Sequence, residues 1–282
     1  MGALRRCLKD AAHEPIARTF DLRAEDDGFT RTCGADYRRN MTDYARDAAA
    51  VRGATDRLLS GVSRLDETAV REPSLLPGWT RGHVLAHLAR NADALVNLLT
   101  WARTGVPTPM YPSEDARDRA IEEAAGRPLP VHLDDLRTSA FRFYSAAAAL
   151  PAARWSYEVT MRRGVTEPAG RLPFRRLVEV ELHHVDLGIG YTLADLPAEF
   201  VERELDFLTE VKFAGHPEVP PLRLASGWGG RVRWTGRAGE GAGPAVTVEG
   251  SPAALLGWLT GRTDGSGLSC PDAPLPALPP LG

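Results

Sequence analysis

Ionisable side chains of the types that bind divalent metal ions recur at helical spacing in two segments of the chain. Glu179 and His183 lie four positions apart in the segment VEVELHHVDLGIGY, and His83 and His87 repeat that spacing earlier. Residues four apart share one face of an α-helix. If the two helices face each other, a carboxylate and two histidines can converge into a ligand set for Zn²⁺ or a similar ion, with a fourth position open to water or substrate.

A simpler interpretation is that these pairs form salt bridges on a solvated helix face. The later segment argues against it, because its ionisable residues alternate with the apolar residues Val178, Val180, Leu182, Val185 and Leu187. Such a helix is expected to be buried nearly all round. A buried glutamate without a partner costs about 2–5 kcal/mol, so it loses its charge or binds a cation. The residues alone leave both interpretations open.

Helices are the elements that must position these residues. Helical periodicity is strongest in four long segments, residues 41–65, 81–105, 131–150 and 173–188. Thr80 is a suitable N-cap for the second segment, and Ser113 can begin a short acidic helix after it. Long helices joined by connectors predict a four-helix bundle over residues 41–192.

A small α+β domain is predicted for residues 193–263. A helical segment, PAEFVERELDFLTEVKF, precedes three short segments with strand-like alternation and frequent glycine, and Ser251 can cap a last helix. The Pro-rich tail, residues 264–282, is expected to be mobile because it has nothing to pack against. Residues 1–40 show no sustained period and are interpreted as an extension that is either disordered or upstream of the natural start.

Composition excludes several classes of function. The 282 residues carry a net charge of −3, so the chain lacks the basic surface that binds nucleic acid or anionic membranes. No apolar run approaches the ~20 residues that cross a bilayer, and no signal peptide is evident, which predicts a cytoplasmic protein. Cys7, Cys33 and Cys270 form no CxxC pair, so a bound metal needs His and carboxylate ligands.

Three motifs, in the same order, resemble the mycothiol-dependent maleylpyruvate isomerase family. They are LPGWTRGHVLAHLARNADAL, RRLVEVELHHVDLGIGY and SPAALLGWLTGR, and the resemblance runs from about Met41 to Arg262. It implies a DinB-like four-helix bundle joined to a small α/β domain that is related to sterol-carrier folds. It also implies a divalent metal, with zinc as the expected ion, and mycothiol as the thiol cosubstrate.

Carried over position by position, the resemblance implies that the metal ligands are His87, Glu179 and His183. Arg262 matches a family arginine that is needed for activity and reaches in from the second domain. Two further residues, His83 and Arg90, are weaker candidates for lining the site or binding the cosubstrate.

Two neighbours of the ligand histidine are interpreted as supporting residues. Asp186 follows His183 by about one turn and is placed to fix the tautomer of a ligand histidine. His184 is rotated by about 100° from His183, which favours a structural role.

The implied activity is cis–trans isomerisation of maleylpyruvate to fumarylpyruvate. A thiolate of mycothiol would add to the double bond, allow rotation about the resulting single bond and leave again. The metal would hold the sulfur deprotonated, and Arg262 would clamp a substrate carboxylate or stabilise the enolate. The expected partners are a small-molecule substrate and mycothiol, and the protein is expected to be a monomer.

Three other functions stay open on the sequence. A mycothiol S-transferase, in detoxification or natural-product biosynthesis, would use the same thiol and metal on another electrophile. A non-catalytic carrier of an apolar ligand would have a large apolar cavity in the second domain and no convergence of the three ligands. A zinc-binding anti-sigma regulator is disfavoured, because its sites usually include cysteine and the predicted bundle contains none.

Overall fold

A computed structural model of the protein describes residues 27–227, 230–235 and 245–279, with side chains from residue 44 onward. The chain divides into two units, Met1–Arg39 and Asn40–Gly282, and the account that follows concerns the second. No described helix combines the length and the apolar composition that are needed to cross a membrane.

The first part of the second unit is helical. Its helices are the part of α1 (Asp27–Val62) that follows residue 39, and then α2 (Arg81–Thr104), α3 (Glu114–Ala125), α4 (Leu129–Ala148) and α5 (Leu172–Asp186). Helix α2 is central, because it packs against α3, α4 and α5 and is rich in buried alanine and leucine. The small alanine side chains let the neighbouring helices approach closely on several sides of α2. The predicted bundle is therefore present, with α3 as its short additional helix.

Local capping residues set the helix boundaries as the sequence predicts. The Thr80 side chain accepts a hydrogen bond from the His83 backbone N–H, and Gly105 ends α2 in the left-handed region at φ 77°. Ser113 accepts from the backbone of Ala116 in the same way and begins α3. These bonds satisfy backbone groups that a helix end leaves unpaired.

One element was not predicted. Strands β1 (Glu158–Thr160) and β2 (Thr166–Pro168) form an antiparallel hairpin between α4 and α5. Each strand has three residues, and so short a run does not show an alternation that a sequence pattern can reveal.

The second domain is the predicted α+β unit. Helix α6 (Ala198–Phe207) continues as a π-helical turn and is followed by β3 (Leu222–Ser226), β4 (Val232–Trp234), β5 (Val246–Gly250) and α7 (Pro252–Leu259). The sheet order is β4-β3-β5, with β3 antiparallel to β4 and parallel to β5. Ser251 caps α7 by accepting from the backbone of Ala254.

The prediction of a mobile tail is wrong for residues 264–279. Glu249 and Ser269 exchange two backbone hydrogen bonds of 2.8 Å each, which adds the tail to the edge of the sheet. Leu268, Leu275 and Leu278 pack against the core. Proline restricts the backbone of an extended chain, but the leucines between the prolines can still be buried. The proline-rich composition alone does not show this packing.

The N-terminal prediction is tested only in part. Helix α1 begins at Asp27 rather than near Met41, so the helical pattern starts earlier than its apolar periodicity indicates. Residues 1–26, to which the expectation of a disordered extension also applies, lie outside the described residues.

Helices α2 and α3 meet at a glycine, and this contact can be tested. A Cβ atom at Gly82 would lie 2.0 Å from the carbonyl oxygen of Ala125 and 2.9 Å from Val70. We expect Gly82→Ala to lower the free energy of unfolding by about 2 kcal/mol, because the backbones must separate. The measurement is urea denaturation.

Gly126→Ala is the matched control for this substitution. Gly126 has φ −84°, and a Cβ atom there would meet nothing within 4 Å. We expect its unfolding midpoint to stay the same or rise slightly. Equal destabilisation by both substitutions would contradict the close approach of α2 to α3.

Candidate metal centre

The three predicted metal ligands converge between α2 and α5. His87 Nε2 lies 2.9 Å from Glu179 Oε2, and His183 Nε2 lies 3.3 Å from the same oxygen. One donor atom from each of the three residues lies within 4.8 Å of the others. Ligands of a tetrahedral zinc ion, at about 2.0–2.1 Å from the metal, are about 3.3 Å apart. The donor set and its spacing therefore fit a divalent metal ion.

A buried arginine fixes the two helices in register. Arg176 is 1% exposed, and its Nη1 donates to the backbone oxygen of Leu88 and to Asn91 Oδ1, each at 2.8 Å. Because Arg176 belongs to α5 and both acceptors belong to α2, these bonds hold the face with Glu179 opposite the face with His87.

The orientation of His183 is set from the second domain. His183 Nδ1 lies 2.8 Å from Asp186 Oδ2, so a proton on Nδ1 leaves Nε2 directed at the cluster. Arg262 donates to both oxygens of this carboxylate, through Nε at 3.0 Å and Nη2 at 2.7 Å. Asp186 is 1% exposed, which makes this pairing a buried connection between the domains. The geometry agrees with the predicted role of Asp186.

The charges of the cluster suit a cation. Burial lowers the pKa of His87 to about 4, so this imidazole is neutral at pH 7. Burial opposes ionisation of Glu179, but the hydrogen bonds of His183 and His87 outweigh it and hold the Glu179 pKa well below its ordinary value. An anionic carboxylate beside a neutral imidazole provides the electron pairs that a divalent metal ion needs.

The cluster is accessible on one side. The side chain of Glu179 is 32% exposed, whereas those of His183 and His87 are 16% and 7% exposed. A cation held here would have protein on most sides and an approach from solvent past Glu179. Structural zinc sites are closed by four protein ligands, whereas catalytic sites keep a position open.

The other acidic residue of the opening segment has partners of its own. Glu181 is 1% exposed and accepts from Arg57 and, at 2.7 Å, from the hydroxyl of Tyr191. Every residue of α5 is buried or only partly exposed, which agrees with the prediction of a helix buried nearly all round. The burial of the two glutamates is thus compensated by different partners, which are an arginine for Glu181 and two histidines for Glu179.

The weaker candidates have other partners in the structure. His83 Nδ1 lies 3.1 Å from the Thr80 backbone nitrogen and 2.7 Å from Thr80 Oγ1, so its ring takes part in the capping box at the N-terminus of α2. Arg90 donates to Asp135 at 2.5 Å. His184 stacks on Tyr191 with ring centroids 4.0 Å apart, which agrees with a structural role. His83 and Arg90 as cosubstrate-binding residues stay predictions.

Two residues near the centre were not identified from the sequence. Arg117 Nη2, on α3, lies 3.3 Å from His87 Nδ1. Glu204, on α6, is 3% exposed, and its Oε2 has no hydrogen-bond partner among the described residues. Neither sits in a distinctive motif. A glutamate among the buried positions of the amphipathic α6 was the available signal for Glu204.

Glu204 gives a prediction of pH dependence. Burial raises its pKa from 4.5 to about 7. Between these values the folded protein keeps a proton that the unfolded chain releases, so the free energy of unfolding falls as pH rises through this window. We expect Glu204→Gln to remove this loss and to gain up to about 3 kcal/mol over the wild type at pH 8. Urea denaturation at pH 5 and pH 8 measures the difference.

Glu210→Gln is the control for Glu204→Gln, because Glu210 is an exposed residue at the end of the same helical segment. It should leave the pH dependence of stability unchanged. A Glu204→Gln protein whose stability follows that of the wild type at both pH values would show that Glu204 is already ionised without penalty.

The fold and the cluster define a class of protein, a four-helix bundle with a His–Glu–His cluster that could hold a metal ion, joined to a small α+β domain. Family models match most of the chain: residues 51–188 match the mycothiol maleylpyruvate isomerase N-terminal domain and residues 195–279 match the MDMPI C-terminal domain. No curated protein sequence matches.

A solved structure covers nearly the same part of the chain. The crystal structure of the mycothiol-dependent maleylpyruvate isomerase is 30% identical, with a TM-score of 0.76, and covers 84% of this chain and 96% of its own. A structure of its histidine-to-alanine mutant matches equally well. The chain belongs to the mycothiol-dependent maleylpyruvate isomerase family. The predicted family, fold class and isomerase activity are confirmed.

Proposed function

We propose that the chain is a metal- and mycothiol-dependent isomerase that converts maleylpyruvate to fumarylpyruvate. The observation that carries this proposal is the convergence of His87, Glu179 and His183 on one accessible point of the bundle. The solved relative named for this reaction supports the choice of substrate. A carrier of apolar ligands would not need the convergence, so the geometry favours an enzyme.

His87, Glu179 and His183 would hold the divalent ion, and zinc fits their nitrogen and oxygen donors. When bound, the ion lowers the pKa of a thiol that it coordinates, which makes the thiolate available near neutral pH. Among the residues whose side chains the structure describes, the one cysteine, Cys270, lies in the tail beside β5. The nucleophile in this proposal therefore comes from mycothiol.

The reaction requires a temporary single bond. A sulfur–carbon bond forms as the π electrons move into the adjacent carbonyl, giving an enolate. After rotation, the electrons return and expel the thiolate, so the thiol is regenerated and only the geometry changes. The protein positions the reactants and stabilises charge. His183 is oriented for this by Asp186, and Glu179 remains ionised.

A direct experiment tests the proposal. Purified protein is loaded with zinc and incubated with maleylpyruvate, with and without mycothiol, and the products are separated by chromatography. We expect fumarylpyruvate only when both zinc and mycothiol are present, with mycothiol recovered unchanged. A stable thioether between mycothiol and the substrate would instead identify an S-transferase. Conversion after removal of zinc by a chelator would refute the metal requirement.

A further inference from the structure

The arginines around the centre differ in how firmly they are held. Arg262 donates two hydrogen bonds to Asp186, and the Nη1 of Arg176 donates to Leu88 and Asn91. Both guanidinium groups therefore have short bonds to protein acceptors that hold the fold together. The donors that form those bonds are not available to a substrate carboxylate unless the bonds break.

Arg117 is held less firmly, although it lies nearer to a ligand. Its Nη1 donates to Asp118, whose side chain is 65% exposed, and its Nη2 reaches His87 Nδ1 at a long 3.3 Å. Its Nε is buried and has no hydrogen-bond partner among the described residues. The side chain of Arg117 is 14% exposed, and it interacts also with Tyr111. Arg117 thus keeps unused donor capacity beside the cluster.

The contact with His87 depends on which ring nitrogen carries the proton. Arginine has donors only, so His87 Nδ1 accepts from Arg117 when the proton is on Nε2. A cation held at Nε2 leaves the ring proton on Nδ1. Two donors then face each other, and Arg117 loses its contact on the ligand histidine. A cationic group placed beside a dication favours an anion as its new partner.

We propose that Arg117 binds a carboxylate of the substrate beside the metal cluster and so sets the specificity for dicarboxylates. This inference rests on the proposed function, because maleylpyruvate supplies the carboxylates. A guanidinium matches a carboxylate with two parallel hydrogen bonds. The Nε and Nη2 of Arg117 are the donors that this arrangement needs, and Tyr111 is a neighbouring polar group. Arg262 then remains on Asp186 as a positioning residue.

The experiment measures binding apart from turnover. Maleate, an unreactive cis-dicarboxylate, is titrated into zinc-loaded wild type, Arg117→Gln and Arg117→Lys by calorimetry, and zinc affinity is measured for each protein. We expect Arg117→Gln to bind maleate about 10- to 100-fold more weakly at unchanged zinc affinity. The lysine variant should fall between, because it keeps the charge but loses the planar fork. In turnover, KM for maleylpyruvate should rise more than kcat falls.

The matched control is Arg119→Gln, an exposed arginine on the same helix, which should bind maleate as the wild type does. Equal weakening by this control would reveal only a general effect of charge and overturn the proposal. So would wild-type maleate binding by Arg117→Gln, no maleate binding by the wild type, or loss of zinc from Arg117→Gln. Arg117-dependent maleate binding in a protein without isomerase activity would refute the proposed function and leave this inference standing.

Discussion

Replacing His183 by alanine is expected to remove the metal and to abolish isomerisation. His183 provides one of three converging donors. A site with only two protein ligands binds a divalent ion much more weakly than a site with three, so the variant loses the ion during purification. Without the ion the thiol keeps its proton near neutral pH, so we expect turnover to fall by about three orders of magnitude or more. Elemental analysis of the purified variant and a product assay with mycothiol measure the two losses.

The adjacent residue offers a matched control for His183→Ala. His184 has the same side chain on the same helix, but its ring stacks on Tyr191 and contributes no atom to the cluster. We expect His184→Ala to keep its metal and its activity while losing some thermal stability, because the stacked ring is buried. A His183→Ala protein that retained both metal and activity would refute the ligand assignment.

The parts of this fold that follow from local chemistry were predictable from the sequence. Thr80, Ser113 and Ser251 each cap the start of a helix by accepting a hydrogen bond from the backbone N–H three residues later. The three candidate ligands were also predictable in part, because Glu179 and His183 share a helical face whatever the tertiary structure. The spacing alone could not show which histidine of the earlier segment would lie beside them. His83 and His87 have the same spacing, and the resemblance to a family selected His87.

The parts that depend on tertiary packing were not predictable. Arg117 comes from a short acidic helix whose local pattern indicates only a solvated surface, and its contact with His87 exists because α3 packs on α2. The tail was misjudged because composition does not show what surface an extended chain meets. In both cases the decisive partner is distant in sequence.

The connection from Arg262 through Asp186 to His183 joins the second domain to the candidate site in the first. A buried ion pair is weak evidence for added stability, since removing two charges from water is costly. In this pair, Asp186 accepts a hydrogen bond from His183 on one side and from Arg262 on the other, so the second domain contacts the group that orients His183. Burial opposes ionisation of Asp186, but the bonds of His183 and Arg262 hold its pKa below the ordinary value. The second domain thereby keeps the group that orients His183 charged.

Arg262→Ala is therefore expected to lower kcat by about 10- to 100-fold at saturating zinc while the protein still binds the metal. Removing the guanidinium leaves the buried Asp186 carboxylate with His183 as its remaining side-chain partner, so the orientation of the His183 ring is less firmly set. Arg262→Lys should recover part of the activity, because it restores the charge without the two parallel bonds. The measurements are kcat and KM at excess zinc, with zinc content determined on the same samples.

Arg231→Ala is the control, because Arg231 is a half-exposed arginine of the same domain that pairs with Asp206 rather than with the centre. It should leave kcat and zinc content unchanged. Parallel loss of zinc and activity in Arg262→Ala, without recovery by lysine, would mean that Arg262 only supports the fold. If kcat falls at full zinc occupancy and lysine partly restores it, Arg262 acts on His183 through Asp186. A purely structural defect would not respond to the restored charge.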